Sequence, residues 1–320
     1  MATSTITSST DAPFSLEAKK SRIGEKVIVA GLFLAAVLAV LITIGIVVSL
    51  LFPTIEFFET VPIARFFSAE PWGPLFADPT YGVINIVGGT FAIVLYSSVI
   101  SLPAGLGSAI YMSEYAGPRM RKVLQPLLEI LEGIPTVVYG IFALFFVAPL
   151  LKDNWPTWIP GQLGEEPQFQ FILAAGLVLG VMIIPTVASV AYDSMNAVPR
   201  ALREAAYGLG STRMQVASRV VVPAALSGII ASFVLGLSRA VGETIVVLMA
   251  AGAVANLTLW PNEPVLTMTA FIGRTATGDI STGGTAYFTV FAVGSLLFLI
   301  TLTVNMIAIA LVRRFREVYE

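Results

Sequence analysis

Long runs of uncharged, apolar residues limit most strictly what this chain can fold into. A helix needs about 20 apolar residues to cross the roughly 30 Å hydrocarbon core of a bilayer. The run from Val27 to Phe52 is long enough, and so are the runs from Pro79 to Ser113 and from Pro167 to Tyr192. Together with three later or shorter runs, they predict six membrane-spanning helices, near residues 27–52, 83–112, 123–151, 169–192, 223–254 and 286–312.

The composition agrees with a membrane protein and excludes several kinds of active site. Only 12% of the residues are charged, against roughly 25% in soluble domains. The sequence contains no cysteine and no histidine, so disulfides, thiol nucleophiles and the common zinc sites are excluded. We therefore predict an all-α, polytopic membrane protein without a metal site, in which residues 22–320 form one transmembrane domain.

The N-terminal region differs from the rest of the chain. Residues 1–21 are polar and rich in Ser and Thr, which predicts a disordered leader. The apolar run that follows is longer than the roughly 7–15 residues of a signal-peptide hydrophobic region. We interpret this run as a membrane anchor.

The distribution of basic residues predicts the orientation in the membrane. Fourteen of the eighteen Lys and Arg residues lie on one side of the six predicted spans, and basic residues concentrate in cytoplasmic loops. Both termini, including the leader, are therefore predicted to be cytoplasmic. The opposite loops, near 53–82, 152–168 and 255–285, contain nine acidic and three basic residues.

One cytoplasmic segment, residues 193–222, has the pattern of a helix, a turn and a second helix. Small Ala205 and Ala206 would let a helix face approach a partner closely, and Gly210 can adopt a positive φ that ends the helix. Pro223 suits the first turn of the following helix, where no backbone donor is needed. The segment is predicted to offer a protrusion at the membrane surface to another protein.

The spacing Glu204-Ala205-Ala206, three residues, Gly210, nine residues, Val220-x-Val222-Pro223 resembles the EAA motif of ABC importer permeases. Val220 and Val222 stand where that family usually has Ile and Leu. The resemblance implies a six-helix, type I importer permease fold whose cytoplasmic coupling helices sit in a groove of a separate ATPase. It implies ATPase-coupling residues within the same segment, namely Arg203, Glu204, Ala205, Ala206, Gly208, Gly210 and Pro223. The alternative is an amphipathic loop with chance similarity.

Three further stretches narrow the resemblance to the phosphate-specific (Pst) importers. They are "ISLPAGLGSAIYMSEYA" at 100–116, "LEGIPTVVYGIFAL" at 131–144 and "SRAVGET" at 238–244. With its long first outer loop, the chain resembles the PstC-type subunit more than its PstA-type sister. The resemblance implies a bacterial inner membrane location, and four kinds of partner besides the lipid: a homologous PstA-type permease, two ATPase subunits, an extracytoplasmic phosphate-binding protein and inorganic phosphate.

Arg239, within the fifth predicted span, is the main candidate for the anion pathway. An arginine at the bilayer centre costs roughly 2.5–3.5 kcal/mol on insertion scales, so such residues are usually functional. Its planar fork can donate two hydrogen bonds to a phosphate. Glu243, four residues on, is predicted to share its helix face and hold Arg239 when no phosphate is bound. The alternative is a purely structural pair.

The third predicted span supplies further pathway candidates. Glu132 could pair with Arg239 in one conformation, or could only line a polar cavity. Gly133 and Pro135 predict a kink just after it. Thr136 and Tyr139 could offer hydroxyl groups to the pathway, although packing alone would also explain them.

No nucleotide-binding motif G-x4-G-K-[ST] occurs in the chain, so we expect no enzyme activity of its own. ATP and Mg²⁺ would be bound by the partner ATPase, the chain itself would hold no cofactor, and no nucleic acid is expected to bind. Three other readings stay open: a sulfate or molybdate permease of the same architecture, an ion-coupled secondary transporter, and an intramembrane enzyme. The EAA segment would have no purpose in a secondary transporter. The absence of histidine and cysteine disfavours an intramembrane enzyme.

Overall fold

The computed structural model describes residues 23–278, 281 and 283–314. The leader predicted over residues 1–21 lies outside the described residues, as do residues 315–320. The chain divides into two compact units. The first contains residues 23–49 of the described chain, which form a continuous helical stretch with exposed side chains from 24 to 46. The second contains the described residues from 50 to 314, which include the last part of the first helix and every later element.

The described chain is helical apart from two short strands and connecting loops. In chain order the helices are α1 (Ile23–Thr60), α2 (Ile63–Phe66), α3 (Ile84–Ile110), α4 (Pro118–Gly133), α5 (Thr136–Phe142), α6 (Ala148–Asp153), α7 (Ile172–Asn196), α8 (Arg200–Gly208), α9 (Arg213–Val216), α10 (Val222–Ala224), α11 (Leu226–Gly242), α12 (Ile245–Ala250), α13 (Met268–Thr277) and α14 (Thr285–Arg314). Five-residue π-helical turns extend three of them, at Tyr111–Tyr115, Ala143–Val147 and Ala217–Val221, and Gln162–Gly164 is a 3₁₀ turn.

Among the described residues, five helical segments are long and apolar enough to cross a membrane, and a sixth exists if one bent pair counts as one span. The bent pair is Arg213–Ala224 with Leu226–Gly242, at an angle of 74°. Two segments depart from the predicted boundaries. The third candidate span begins at Thr136 rather than near 123, because Ile134 and Pro135 are extended and separate α4 from α5. The fifth predicted span, 223–254, is interrupted after Gly242.

Helices α3 and α7 pack against each other at the centre of the second unit. Glycines allow the close approach: a Cβ on Gly105 would lie 2.7 Å from the Val187 Cβ, and one on Gly180 would lie 2.9 Å from the Ser97 carbonyl oxygen. Large buried side chains from both helices, such as Ile93 and Leu179, fill the surroundings. Small residues at such contacts are typical of helix packing in lipid, where close van der Waals contact drives association.

A small aromatic module follows α1 on the side predicted to be extracytoplasmic. The strands β1 (Trp72–Gly73) and β2 (Thr80–Tyr81) pair antiparallel and pack on the rings of Phe57 and Phe66. Arg65 lies 5.5 Å from the Tyr81 ring centroid and forms a 3.2 Å ion pair with Glu70. Burial raises the pKa of the Tyr81 phenol above its usual value, and the positive charge of Arg65 offsets part of that increase.

Candidate functional site

A polar cluster where three helices meet joins Arg239, Glu132 and Thr186. The Arg239 Nη1 donates to Glu132 Oε1 at 3.1 Å and to Thr186 Oγ1 at 2.7 Å. The Thr186 hydroxyl in turn donates to the same Glu132 oxygen at 3.0 Å. The three side chains come from α11, α4 and α7 and form a closed triangle. Arg239 and Glu132 are partly exposed, with side-chain exposures of 29% and 42%.

Local structure explains how each side chain reaches the cluster. Glu132 stands one residue before the end of α4, where the extended residues Ile134 and Pro135 stop the helix. Thr186 is 6% exposed and follows Pro185 inside α7. Arg239 is in the last turn of α11, where a positive charge is stabilised by the helix dipole. Three helix segments therefore converge on one guanidinium group.

The predicted pairing of Arg239 with Glu243 is wrong in this structure. Gly242 ends α11, and Glu243 adopts an extended backbone with ψ 131°, so the two residues do not share a helix face. The Glu243 carboxylate instead accepts hydrogen bonds from the backbone N–H groups of Ile245 and Val246, at 3.0 and 3.2 Å. Glu243 is 8% exposed and caps the start of α12, while Glu132 takes the predicted position beside Arg239.

The other two predicted pathway residues lie just beyond the cluster. Tyr139 is buried, and its hydroxyl donates to the Leu131 carbonyl at 2.8 Å, so it connects α5 back to α4 across the break. Thr136 begins α5 and is partly exposed. The structure brings neither hydroxyl into the Arg239 triangle.

A cavity of about 190 Å³ adjoins Glu132 between α4 and α7. Its lining is polar and acidic, and includes Glu129, Ser189 and Asp193. A larger cavity, about 820 Å³, lies between α3 and residues 256–263 and does not include Arg239.

The segment with the EAA pattern forms a helix, a tight turn and a second helix, as predicted. Gly210 has φ 81°, and two backbone bonds close the end of α8: Ser211 N–H to the Ala206 carbonyl at 3.1 Å, and Gly210 N–H to the Tyr207 carbonyl at 2.9 Å. This arrangement is a Schellman motif. Thr212 and Gln215 then form a capping box that begins α9.

Exposed apolar side chains project from this turn. Leu209 is 89% exposed and Met214 is 66% exposed, and Tyr207 is also exposed. Glu204, Ala205 and Gly208 lie on the same exposed surface. We call the exposed side chains of residues 202–214 the coupling surface, after the role that the family resemblance implies for this segment.

Three of the residues predicted to couple to the ATPase do not lie where the sequence pattern placed them. Ala206 is 9% exposed and packs against this chain's own Met195 and Val216, because the α8 face that carries it turns inward. The Arg203 guanidinium is also turned inward, where its Nε binds Glu114 at 3.2 Å. Pro223 lies in α10, before the 74° bend, so it does not begin the next span, which starts at Leu226.

The sequence of residues 101–317 matches the family described as "Binding-protein-dependent transport system inner membrane component". The chain belongs to this family. The matched region contains both the Arg239 cluster and the coupling surface of the permease. The assignment agrees with an inner membrane, multi-pass protein.

Similar proteins that align with most of the permease narrow its assignment within this family. The "Phosphate transport system permease protein PstC" of Pasteurella multocida is 30% identical over 292 residues, which cover 88% of this chain and 89% of that protein. The "Probable ABC transporter permease protein YqgH" of Bacillus subtilis is 37% identical over 220 residues, 68% of each chain. The PstC-type assignment made from the sequence motifs is therefore confirmed.

Solved structures show the same fold for the permease. A bacterial alginate ABC transporter, in complex with an alginate pentasaccharide-bound periplasmic protein, has a TM-score of 0.61 at 17% identity, over 92% of this chain and 98% of that one. An inward-facing MetNI methionine ABC transporter has a TM-score of 0.51 at 19% identity, over 73% and 94%. These likenesses confirm the predicted type I ABC importer permease fold.

Two residues that make buried polar contacts in the permease were not predicted as functional residues from the sequence. Thr186 completes the Arg239 triangle, and the only sequence signal was a hydroxyl directly after a proline in a predicted span. Glu114 binds Arg203 with its carboxylate 4% exposed. The only sequence feature that could have indicated Glu114 is its position: it is a single acidic residue between a long apolar run and the basic residues at the start of α4.

Replacing Gly210 by alanine should destabilise the permease by about 1–2 kcal/mol, since a left-handed backbone costs that much with a Cβ. The added methyl would meet no atom within 4 Å, so the cost is due to the backbone alone. Gly208→Ala is the matched control: it lies within α8, also in open space, and should be neutral or slightly stabilising. Thermal unfolding midpoints of the two purified variants measure the difference, and equal midpoints would contradict the role of φ at Gly210.

Proposed function

We propose that this chain is a permease subunit of an ATP-driven importer of inorganic phosphate and forms half of the translocation pathway. Its partner would be a homologous PstA-type permease. One observation carries the anion assignment: an arginine in an apolar candidate span whose guanidinium is partly exposed and only partly hydrogen-bonded by the protein. Similarity to PstC proteins supports phosphate as the anion.

The hydrogen bonding of Arg239 leaves most of its fork open. Among the described residues, both of its hydrogen bonds come from one nitrogen, Nη1. Nε and Nη2 remain able to donate to an anion, and a guanidinium edge presents two parallel donors that match two phosphate oxygens. Partial exposure of the side chain gives an anion access to this edge. One arginine cannot balance a phosphate dianion, so a second cation is expected from the partner permease.

Glu132 takes the role that the sequence suggested for Glu243. Its carboxylate neutralises Arg239 in the absence of substrate and competes with an arriving phosphate for the same guanidinium. The Thr186 hydroxyl contacts both Glu132 and Arg239 and fixes the position of the two side chains relative to each other. A competing carboxylate weakens phosphate binding, which favours passage because a site that binds too tightly does not conduct.

The coupling surface is proposed to dock on the ATPase subunit. An apolar protrusion made by Leu209 and Met214, with Glu204 beside it, is suited to insertion into a groove. ATP and Mg²⁺ would be held by two copies of that ATPase, with no cofactor and no enzyme activity in this chain. A phosphate-binding protein would deliver substrate on the opposite side, and both termini would be cytoplasmic.

Phosphate uptake by proteoliposomes tests the proposal. The chain would be reconstituted with its sister permease, ATPase and binding protein, with ATP supplied to the ATPase side. We expect uptake that requires ATP and is not inhibited by excess sulfate or molybdate. Uptake without ATP would indicate an ion-coupled secondary transporter instead, and inhibition by sulfate or molybdate would indicate another oxyanion.

Replacing Glu132 by glutamine should lower the KM for phosphate uptake by roughly 1.4- to fivefold, because a partly exposed ion pair that competes with substrate contributes about 0.2–1 kcal/mol. The maximal rate should fall as well, since release from Arg239 becomes slower. Uptake at graded phosphate concentrations measures both. Glu129→Gln, on the same helix and cavity but without contact to Arg239, is the control. A raised KM in Glu132→Gln would contradict the competing role.

A further inference from the structure

Helix α4 is held in place by polar contacts at its two ends. None of its side chains is buried in the described chain. Near its start, Arg121 Nη2 donates to the Ser113 carbonyl at 2.5 Å. At its end, Glu132 accepts from Arg239 and Thr186.

The packing between these two attachments is loose. A cavity of about 190 Å³ lies between α4 and α7, and another of about 470 Å³ lies between α4 and α3. Pro126 also removes one internal hydrogen bond of the helix. Elements with few buried apolar contacts open and shift at low free-energy cost. Helix α4 therefore has the properties of a moving part.

The first attachment leads directly to the coupling surface. Ser113 and Glu114 share the π-helical turn Tyr111–Tyr115, and the Ser113 hydroxyl donates to Glu114 Oε1 at 2.8 Å. The same oxygen binds Arg203 Nε at 3.2 Å. Arg203 also donates to the carbonyls of Val198 and Met195, at 2.6 and 2.7 Å.

The Arg203–Glu114 pair is well suited to transmit displacement. The two side chains are only 16% and 4% exposed. A buried charge that loses its partner is left uncompensated, so the pair moves as a unit. Any displacement of α8 therefore carries the π-helical turn with it, and through the Ser113 carbonyl it reaches Arg121 and the start of α4.

We propose that α4 transmits movement of the coupling surface to Arg239, which makes Arg203, Glu114 and Arg121 positioning residues for transport. The eleven residue-to-residue steps from Arg121 to Glu132 span about 16 Å along the helix, which connects the two sites. Movement at one end changes the Glu132–Arg239 contact at the other. Arg203 then acts inside the permease instead of on the ATPase. This inference rests on the proposed function.

The first test is the number of ATP molecules hydrolysed per phosphate taken up by the reconstituted complex. In Glu114→Gln and Arg121→Gln, hydrolysis should continue while uptake falls, so the ratio should rise at least about fivefold, the low end of typical coupling between sites. Glu70→Gln is the matched control, because it removes the same charge from an ion pair of the same 3.2 Å length in the outer aromatic module. Its ratio should equal that of the wild type.

A ratio unchanged in both variants would overturn the proposal, because a merely structural role lowers hydrolysis and uptake together. Arg121→Gln keeps the test decisive if Glu114→Gln fails to assemble, since it interrupts the same path without breaking the buried ion pair.

A second measurement follows α4 itself and does not depend on phosphate. The chain has no cysteine, so spin labels at Ile130→Cys on α4 and Val99→Cys on α3, both exposed, would report their separation. We expect the distance to change when ATP binds the complex, and to change less in Glu114→Gln. A constant distance in the wild type would overturn the proposal. Failure of phosphate uptake by the wild type would instead count against the proposed function, and the label distances would still decide the role of α4.

Discussion

Arg239→Ala is expected to reduce ATP-driven phosphate uptake by about 10- to 100-fold. The change removes charge-assisted hydrogen bonds worth about 1.5–3 kcal/mol, and each 1.4 kcal/mol is about tenfold. The fold should survive, because Glu132 is 42% exposed and water can replace the lost partner.

Arg239→Lys separates charge from geometry in the same experiment. Lysine keeps the positive charge but lacks the planar fork, so uptake intermediate between the wild type and Arg239→Ala would support bidentate recognition. Full activity in Arg239→Ala, with normal assembly, would remove Arg239 from the pathway. The ATPase and sister permease should copurify with every variant, which shows that lost uptake does not reflect lost assembly.

Leu209→Asp is expected to weaken binding of the ATPase subunit by about 10- to 100-fold. Leu209 is 89% exposed on the coupling surface, and burial of a leucine in a partner groove contributes about 1.5–3 kcal/mol. A charged carboxylate in its place would also be desolvated. The amount of ATPase that copurifies with the tagged permease measures the effect.

The control for Leu209→Asp lies in the aromatic module, on the side predicted to be extracytoplasmic. Leu75 is also exposed there, at 55%. Leu75→Asp introduces the same charge and should leave the ATPase bound. Equal retention of the ATPase by both variants would mean that the coupling surface is not where the ATPase docks.

The sequence predicted the helical elements well where hydrophobicity alone determines them, and less well where a helix is interrupted. The fifth predicted span is mostly apolar on both sides of Gly242, and the apolar residues continue to 262. Hydrophobicity therefore gave no sign that α11 ends at Gly242. A single glycine is a weak stop signal. The Glu243 prediction failed for this reason, since the spacing of four residues has meaning only in an unbroken helix.

A kink at Gly133 and Pro135 was predicted within one continuous span, and the structure has a full break there, because proline disfavours a helical residue before it. The break places Glu132 at a helix end, from which it reaches Arg239. The Thr186 contact is tertiary and joins residues far apart in sequence, and no local pattern announces it. The coupling turn was predictable because φ > 0 at Gly210 is a local requirement. The inward direction of Arg203 depends on Glu114, which belongs to the π-helical turn after α3 and is far from Arg203 in sequence.

The contrast between the glycine-lined contact of α3 with α7 and the loosely packed α4 has a consequence for how such permeases diversify. A single methyl group on Gly105, Gly176 or Gly180 would collide with the opposite helix, so a larger residue there would force the two helices apart. Helix α4 has no buried side chain to protect, and most changes on it leave the scaffold intact. Substitutions can therefore accumulate on α4, beside the proposed anion path, at little risk to folding. An importer built this way can change its substrate preference while its framework stays nearly constant.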